Sequence, residues 1–193
     1  MSDLFFPHGG YKKLKSFQIA QLVYDLTVIF TEHYIDPKSR TRDQMVQAAR
    51  SGVQNIAEGS LASGTSKKTE LKLTNVARAS LEELKLDYED FLRQNHLTQW
   101  THNDRKAENL ISQRFQKVEE IRSWINHQAV VCKQNGILCP TREIAANAIL
   151  LLIKVTSSLL DRQLTRLASD FTQNGGFTER LYAVRKRNRS NGQ

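Results

Sequence analysis

The sequence predicts an all-α fold, an antiparallel up-down four-helix bundle with an added C-terminal helical extension. Three observations point there. Proline and glycine number only 3 and 9 in 193 residues, roughly half their usual share, which leaves long stretches free of helix breakers. Apolar side chains recur at three- and four-residue steps over runs of about 20 residues, the period of helices that keep one face in a core. No stretch alternates apolar and polar side chains in the manner of a half-buried strand.

A first helix is expected from Leu14 to Tyr34, where Phe17, Ala20, Gln21, Tyr24, Val28 and Thr31 mark one side. Leu22, Leu26 and Ile29 widen its apolar stripe, and Asp36-Pro37 ends it. The second opens between Ser39 and Arg42 and continues to Glu58, with Met45, Ala49, Val53 and Ile56 on the buried side and Gly59 as C-cap. Residues 60–65 are small and polar enough for a turn, and Ser66 N-caps a third helix. Leu73, Ala77, Leu81, Leu84, Tyr88 and Phe91 carry its spacing to about Asn95.

Polar sequence then interrupts the pattern until Asp104, which opens a fourth helix through Leu110, Phe115, Val118, Ile121, Trp124 and Ile125, fraying near Cys132. Asn135-Gly136 and Cys139-Pro140 bracket a linker, and Thr141 caps a fifth helix that reaches Gln173. Gly175-Gly176 closes it, and Phe177-Thr178-Glu179 starts a short basic terminal helix. These elements divide the chain into a four-helix-bundle region, residues 12–134, and a C-terminal helical suffix, residues 141–187, packed on it.

Composition narrows the function classes. Cys132 and Cys139 are too few for a disulfide framework or a four-ligand zinc site, so free thiols, no metal and no cofactor are expected. No uninterrupted apolar run is longer than Ala148–Ile153, which predicts no membrane span and a cytoplasmic location. The net charge of +8 suggests a polyanionic partner. Its distribution is uneven: residues 1–100 carry 13 basic and 12 acidic side chains, residues 101–193 carry 15 and 8.

The segment from Gln44 to Leu84 resembles the small bacterial four-helix-bundle family named for the 23S rRNA intervening-sequence proteins. That family includes the accessory variability determinant of diversity-generating retroelements. The resemblance is carried by Asn55-Ile56-Ala57-Glu58-Gly59, by Gln44, Ala48, Ala49 and Ser51 before it, and by Ser66 with Lys68 after the turn. It continues through Ala77-Arg78-Ala79-Ser80-Leu81-Glu82-Glu83-Leu84, with Tyr24-Asp25-Leu26-Thr27 and Phe30 fitting the first helix. Residues from Thr141 onward look like the suffix of longer members. The chain departs from the pattern at Val46-Gln47, where the family has two arginines, and at Thr69-Glu70, where it has an acid followed by an aromatic. The resemblance implies a homopentamer and, for the retroelement branch, a basic barrel that binds a reverse transcriptase and RNA.

Several residue groups are candidates for function. Asn55 and Glu58 fall on one helical face, with Gly59 beside them. A structural role in the turn that follows is favoured for all three over contact with a partner, Glu58 taking a donor from Arg50, Lys68, Arg78 or backbone N–H groups of that turn. Lys67 and Lys68 stand in the first turn of the third helix, where exposed N–H groups already favour anions, and Lys72 follows one turn later, so the three can build a phosphate-sized positive site, although an ordinary solvated face is the favoured reading. Arg180, Arg185, Lys186, Arg187 and Arg189 form a terminal basic run suited to a nucleic-acid backbone, with Lys12, Lys13 and Lys15 a weaker copy at the other end. Arg122 and His127 match the spacing used by some helical ribonucleases, yet chance alone yields about one such pair in this composition, so no catalytic residue is assigned. The expected function is a non-enzymatic, oligomeric nucleic-acid-binding accessory protein whose partner is RNA or an RNA–protein complex, most concretely a reverse transcriptase. The alternative is a protein-interaction scaffold without nucleic-acid binding.

Overall fold

A computed structural model describes residues 9–101, 103–174, 181–182 and 185–186. Among the described residues the regular structure is helical and no strand occurs, so the fold class is all-α. A short 3-10 turn, Tyr11–Lys13, precedes α1 (Lys15–Tyr34), α2 (Arg40–Ala62), α3 (Lys67–Gln94), α4 (Arg105–Gln113), α5 (Val118–Gln134) and α6 (Thr141–Asn174).

The helix starts follow from local chemistry. Ser39 Oγ accepts from Thr41 N, Ser66 Oγ from Thr69 N and Asp104 Oδ1 from Lys106 N, each occupying a donor that the first turn leaves unpaired. At α5 the Glu120 carboxylate accepts from the backbone N–H of Gln116 and Lys117, and these bonds hold it below the usual carboxylate range. Pro140, rather than Thr141, precedes α6, and its carbonyl accepts from Glu143 N and Ile144 N.

Two helix ends differ from expectation. α2 runs through Gly59 to Ala62, because Gly59 is not a cap but a point of close approach. A Cβ there would lie 3.4 Å from both the Glu70 carbonyl oxygen and Leu73 Cβ. Gly52 does the same one face-repeat earlier, where a Cβ would meet Leu81 Cδ2 at 3.0 Å. The buried stripe of α2 is therefore Met45, Ala48, Ala49, Gly52, Ile56 and Gly59, with Val53 only half-buried. The single fourth helix expected from Asp104 to Cys132 is two helices, broken where Arg114 takes a left-handed conformation (φ 50°). α5 continues past Cys132 to Gln134, and Gly136, at φ 68°, lets Ile137 N close back on the Cys132 carbonyl.

Helices α1, α2, α3 and α6 pack in that order around a common core, each against its two neighbours. Their directions alternate. Ser16 near the start of α1 donates to Gln163 late in α6 at 3.3 Å, Arg78 early in α3 pairs with Asp161 at 3.4 Å, and Gly59 late in α2 faces Glu70 early in α3. The fourth helix of the ring is thus α6, which lies within the 141–187 segment expected as a suffix packed on the 12–134 region. Helices α4 and α5 lie outside the ring, against α6 and α1. The segment after α3 is clasped to the start of α6. Asn147 Oδ1 accepts from Trp100 N at 2.8 Å, Asn147 Nδ2 donates to the Thr98 carbonyl at 2.8 Å, and Glu143 Oε2 accepts from Thr98 N at 3.0 Å.

The α1 face is also rotated from the expected one, with Val23, Leu26, Thr27 and Phe30 buried while Gln21 is exposed. Residues 143–150 of α6 are all buried. Helices α1, α3, α4 and α5 cover that all-round apolar surface within one chain. By length and composition residues 141–173 are apolar enough to cross a membrane, with mean hydropathy 1.6 over the best window. Run length missed this, because Lys154, Thr156 and Ser157 interrupt the apolar sequence without lowering its average far. Most of that window is buried in the bundle.

Candidate nucleic-acid interface

The ring brings together basic segments that lie far apart in sequence. Gly9 N donates to the Ser60 carbonyl at 3.2 Å, the Tyr11 ring stands edge-on to Phe17 at 4.8 Å, and Gln18 Nε2 donates to the Lys12 carbonyl at 2.9 Å. These contacts fix Lys12, Lys13 and Lys15 beside the end of α2. The tight turn from α2 into α3 places Lys67, Lys68 and Lys72 at the same pole. Arg162 and Arg166 flank Gln163, which touches Ser16, so late α6 arrives there too. From Gln163 the helix continues through Asn174, about 16 Å further at 1.5 Å per residue.

Lys12, Lys13, Lys15, Lys68, Lys72, Arg162 and Arg166 are all exposed. Arg166 lies 3.9 Å from Asp170, an exposed pair that screening leaves weak. Lys67 behaves differently: its Nζ sits 3.0 Å from Glu70 Oε2 and both side chains are largely covered, so its charge is neutralised within α3. Lys68 and Lys72, four residues apart on one exposed face, remain for a phosphate. Arg185 and Lys186 are helical and exposed. Arg180, Arg187 and Arg189 lie outside the described residues. At the opposite pole Lys38, Arg40 and Arg42 are bracketed by Asp36 and Asp43.

The signature residues have packing roles. Asn55 Nδ2 donates to the Ser51 carbonyl of its own helix at 2.9 Å, and Gly59 admits α3. Glu58 is exposed and has no ion pair among the described residues, so the expected donors are not engaged. Arg78 instead contacts Asn75 and Asp161.

No family model, curated protein or solved structure matches the chain. The functional reading therefore rests on the chemistry of its own residues. Among the described residues no group of three or more His, Cys, Asp or Glu is arranged to hold a metal ion. Arg122 and His127 are both exposed on α5, and Arg122 lines a cavity to which His127 does not contribute.

The two cysteines are free thiols, and Cys139 Sγ lies 3.4 Å from Glu143 Oε1. Burial first, then contacts with Cys132 and Glu143, push the Cys139 thiol up to about 12. A raised thiol pKa keeps sulfur protonated near neutrality, and only the thiolate attacks. Disulfide-exchange labelling of Cys139 at about pH 8 is expected to run on the order of a hundredfold slower than for an unperturbed cysteine, and to accelerate as pH rises. Peptide mass spectrometry after timed labelling checks this, and labelling at the ordinary rate would contradict it.

Proposed function

We propose that this protein is a non-enzymatic accessory factor that binds structured RNA, alone or within an RNA–protein complex, through the pole carrying Lys12, Lys13, Lys15, Lys68 and Lys72. One observation supports the reading above others: three basic segments separated in sequence share one pole of the ring, while at the opposite pole Lys38, Arg40 and Arg42 are bracketed by Asp36 and Asp43. Only 8% of residues are aromatic, which favours contact with the phosphate backbone over stacking on bases. Arg185 and Lys186, helical and exposed beyond α6, are further candidates for the same phosphate backbone. A reverse transcriptase with its template RNA is the most concrete partner on the strength of the family resemblance alone. The homopentamer implied by that resemblance would array five such poles and raise avidity without new contacts.

Fluorescence anisotropy of a labelled hairpin RNA, from about 50 to 300 mM salt, tests the proposal. Wild type should bind with a steep negative salt slope. Replacing Lys12, Lys13, Lys15, Lys68 and Lys72 by alanine should flatten it by about 4 log units per log unit of salt if each lysine meets one phosphate. Replacing Lys38, Arg40 and Arg42 should change it little. Equal effects from both sets, or no binding at about 150 mM salt, would overturn the proposal. The second outcome would favour the scaffold reading, for which Leu138, 94% exposed beside exposed Ile137, is the relevant surface.

A further inference from the structure

We propose that a cavity at the pole opposite the lysines binds a small carboxylic acid with a compact apolar body. The cavity, about 180 Å³, lies between the last turns of α1, the middle of α5 and the first turns of α6. Its floor is apolar and buried: Leu26, Phe30, Ile125, Ala145 and Ile149. Its rim is polar and exposed, formed by His33, Arg122 and Asn126.

Charge at the rim has one sign. No Asp or Glu lines the cavity, and Arg122 has no ion pair among the described residues. A guanidinium offers two parallel N–H donors that match a carboxylate. His33 Nδ1 lies 2.7 Å from the Ile29 carbonyl, and a carbonyl only accepts, so Nδ1 carries the proton and donates there; Nε2 of the neutral ring is then an acceptor, and Arg122 is the side chain that meets the carboxylate. Thr141, the first residue of α6, brings the positive end of a 34-residue helix to the same rim. The Pro140 carbonyl already accepts from Glu143 N and Ile144 N, so the first-turn N–H groups ahead of those bonds are Thr141 N and Arg142 N.

Size selects the body of the ligand. An engineered apolar cavity of about 150 Å³ accepts benzene, so one aromatic ring or a branched chain of roughly six carbons fills this one. The assignment is thus an aromatic or branched aliphatic monocarboxylate, carboxylate at Arg122 and apolar body against Phe30 and Ile149. It uses none of the lysines of the RNA reading and stands or falls separately.

Benzoate is the probe, titrated into the full chain and followed by amide chemical shifts and calorimetry. Saturable shifts at Ile29, His33, Asn126 and Thr141 are expected. Neutral benzamide, of the same shape, should bind roughly tenfold more weakly or worse, as should benzoate to Arg122→Gln, because a charge-assisted pair is lost in each case. Arg122 is exposed, so this variant should melt like wild type. Ala145→Leu fills the floor and should abolish binding. No saturable shift up to about 10 mM benzoate overturns the proposal. So does equal affinity for benzamide, or an Arg122→Gln variant that binds benzoate as wild type does.

Discussion

Removing residues 141–193 is expected to abolish the cooperative thermal transition of the remaining chain. Ile144, Ile149, Leu150, Ile153 and Leu160 of α6 are at most 2% exposed. Burying each is worth about 1.5–3 kcal/mol, so deleting them forfeits on the order of 10 kcal/mol, comparable to the whole stability of a typical domain. The loss is two-sided, since the faces of α1 and α3 that pack on α6 become exposed. Thr98 N and Trp100 N also lose Glu143 and Asn147 as acceptors. Far-ultraviolet circular dichroism of residues 1–140 should show a shallow, non-sigmoidal melt beside the sharp transition of the full chain. A sharp melt of the shortened chain would mean that α1 to α5 close a core unaided, and would support a division of the chain at residue 134.

The same connectivity decides where the basic segments meet. Had the helix expected between Asp104 and Cys132 been the fourth of the ring, α6 would begin at the pole of Lys68 and run away from it. Arg162 and Arg166 would then lie far from the lysines. In the structure α4 and α5 form an excursion that returns the chain to the pole where α3 ended, as the Thr98–Glu143 bond records, and α6 descends to the lysines. Each charge was visible in the sequence, but their convergence was not, because it depends on an even or odd count of ring crossings.

Other features divide on similar physical lines. Caps are local, and Ser66 and Asp104 were legible because the acceptor and its N–H lie two or three residues apart. Periodicity located the buried side of α3, yet it cannot name the helix that covers a face, so α6 read as an addition. Glycine was ambiguous: Gly59 after an apolar stripe resembles a cap, and only the approach of Leu73 distinguishes a contact. The cavity left no local signal, since spacing paired Arg122 with His127, whereas the fold pairs it with His33 on another helix. The break at Arg114 lacked a glycine or proline to announce it.

Phe30→Ala is expected to destabilise the protein by about 3–5 kcal/mol, the usual range for a fully buried aromatic, while Tyr88→Phe costs only about 0.5–1.5 kcal/mol. Phe30 and Tyr88 meet where α1 and α3 face each other across the ring, with ring centroids 4.9 Å apart and edge-to-face, and Phe91 sits at the same distance from Phe30. Removing the Phe30 ring therefore strips both neighbours of their edge contacts and opens the floor of the cavity toward the core. The Tyr88 hydroxyl is in a different position. Burial pushes its pKa up and keeps it neutral, and it donates to Thr27 Oγ1 at 3.1 Å. Thr27 Oγ1 donates in turn to the Val23 carbonyl at 2.7 Å, so losing the phenol leaves no buried donor unpaired. Urea unfolding with a constant slope measures both variants. The reverse order of costs would place the centre of stability in the Tyr88–Thr27–Val23 chain of hydrogen bonds, and the aromatic cluster would then be filler around it.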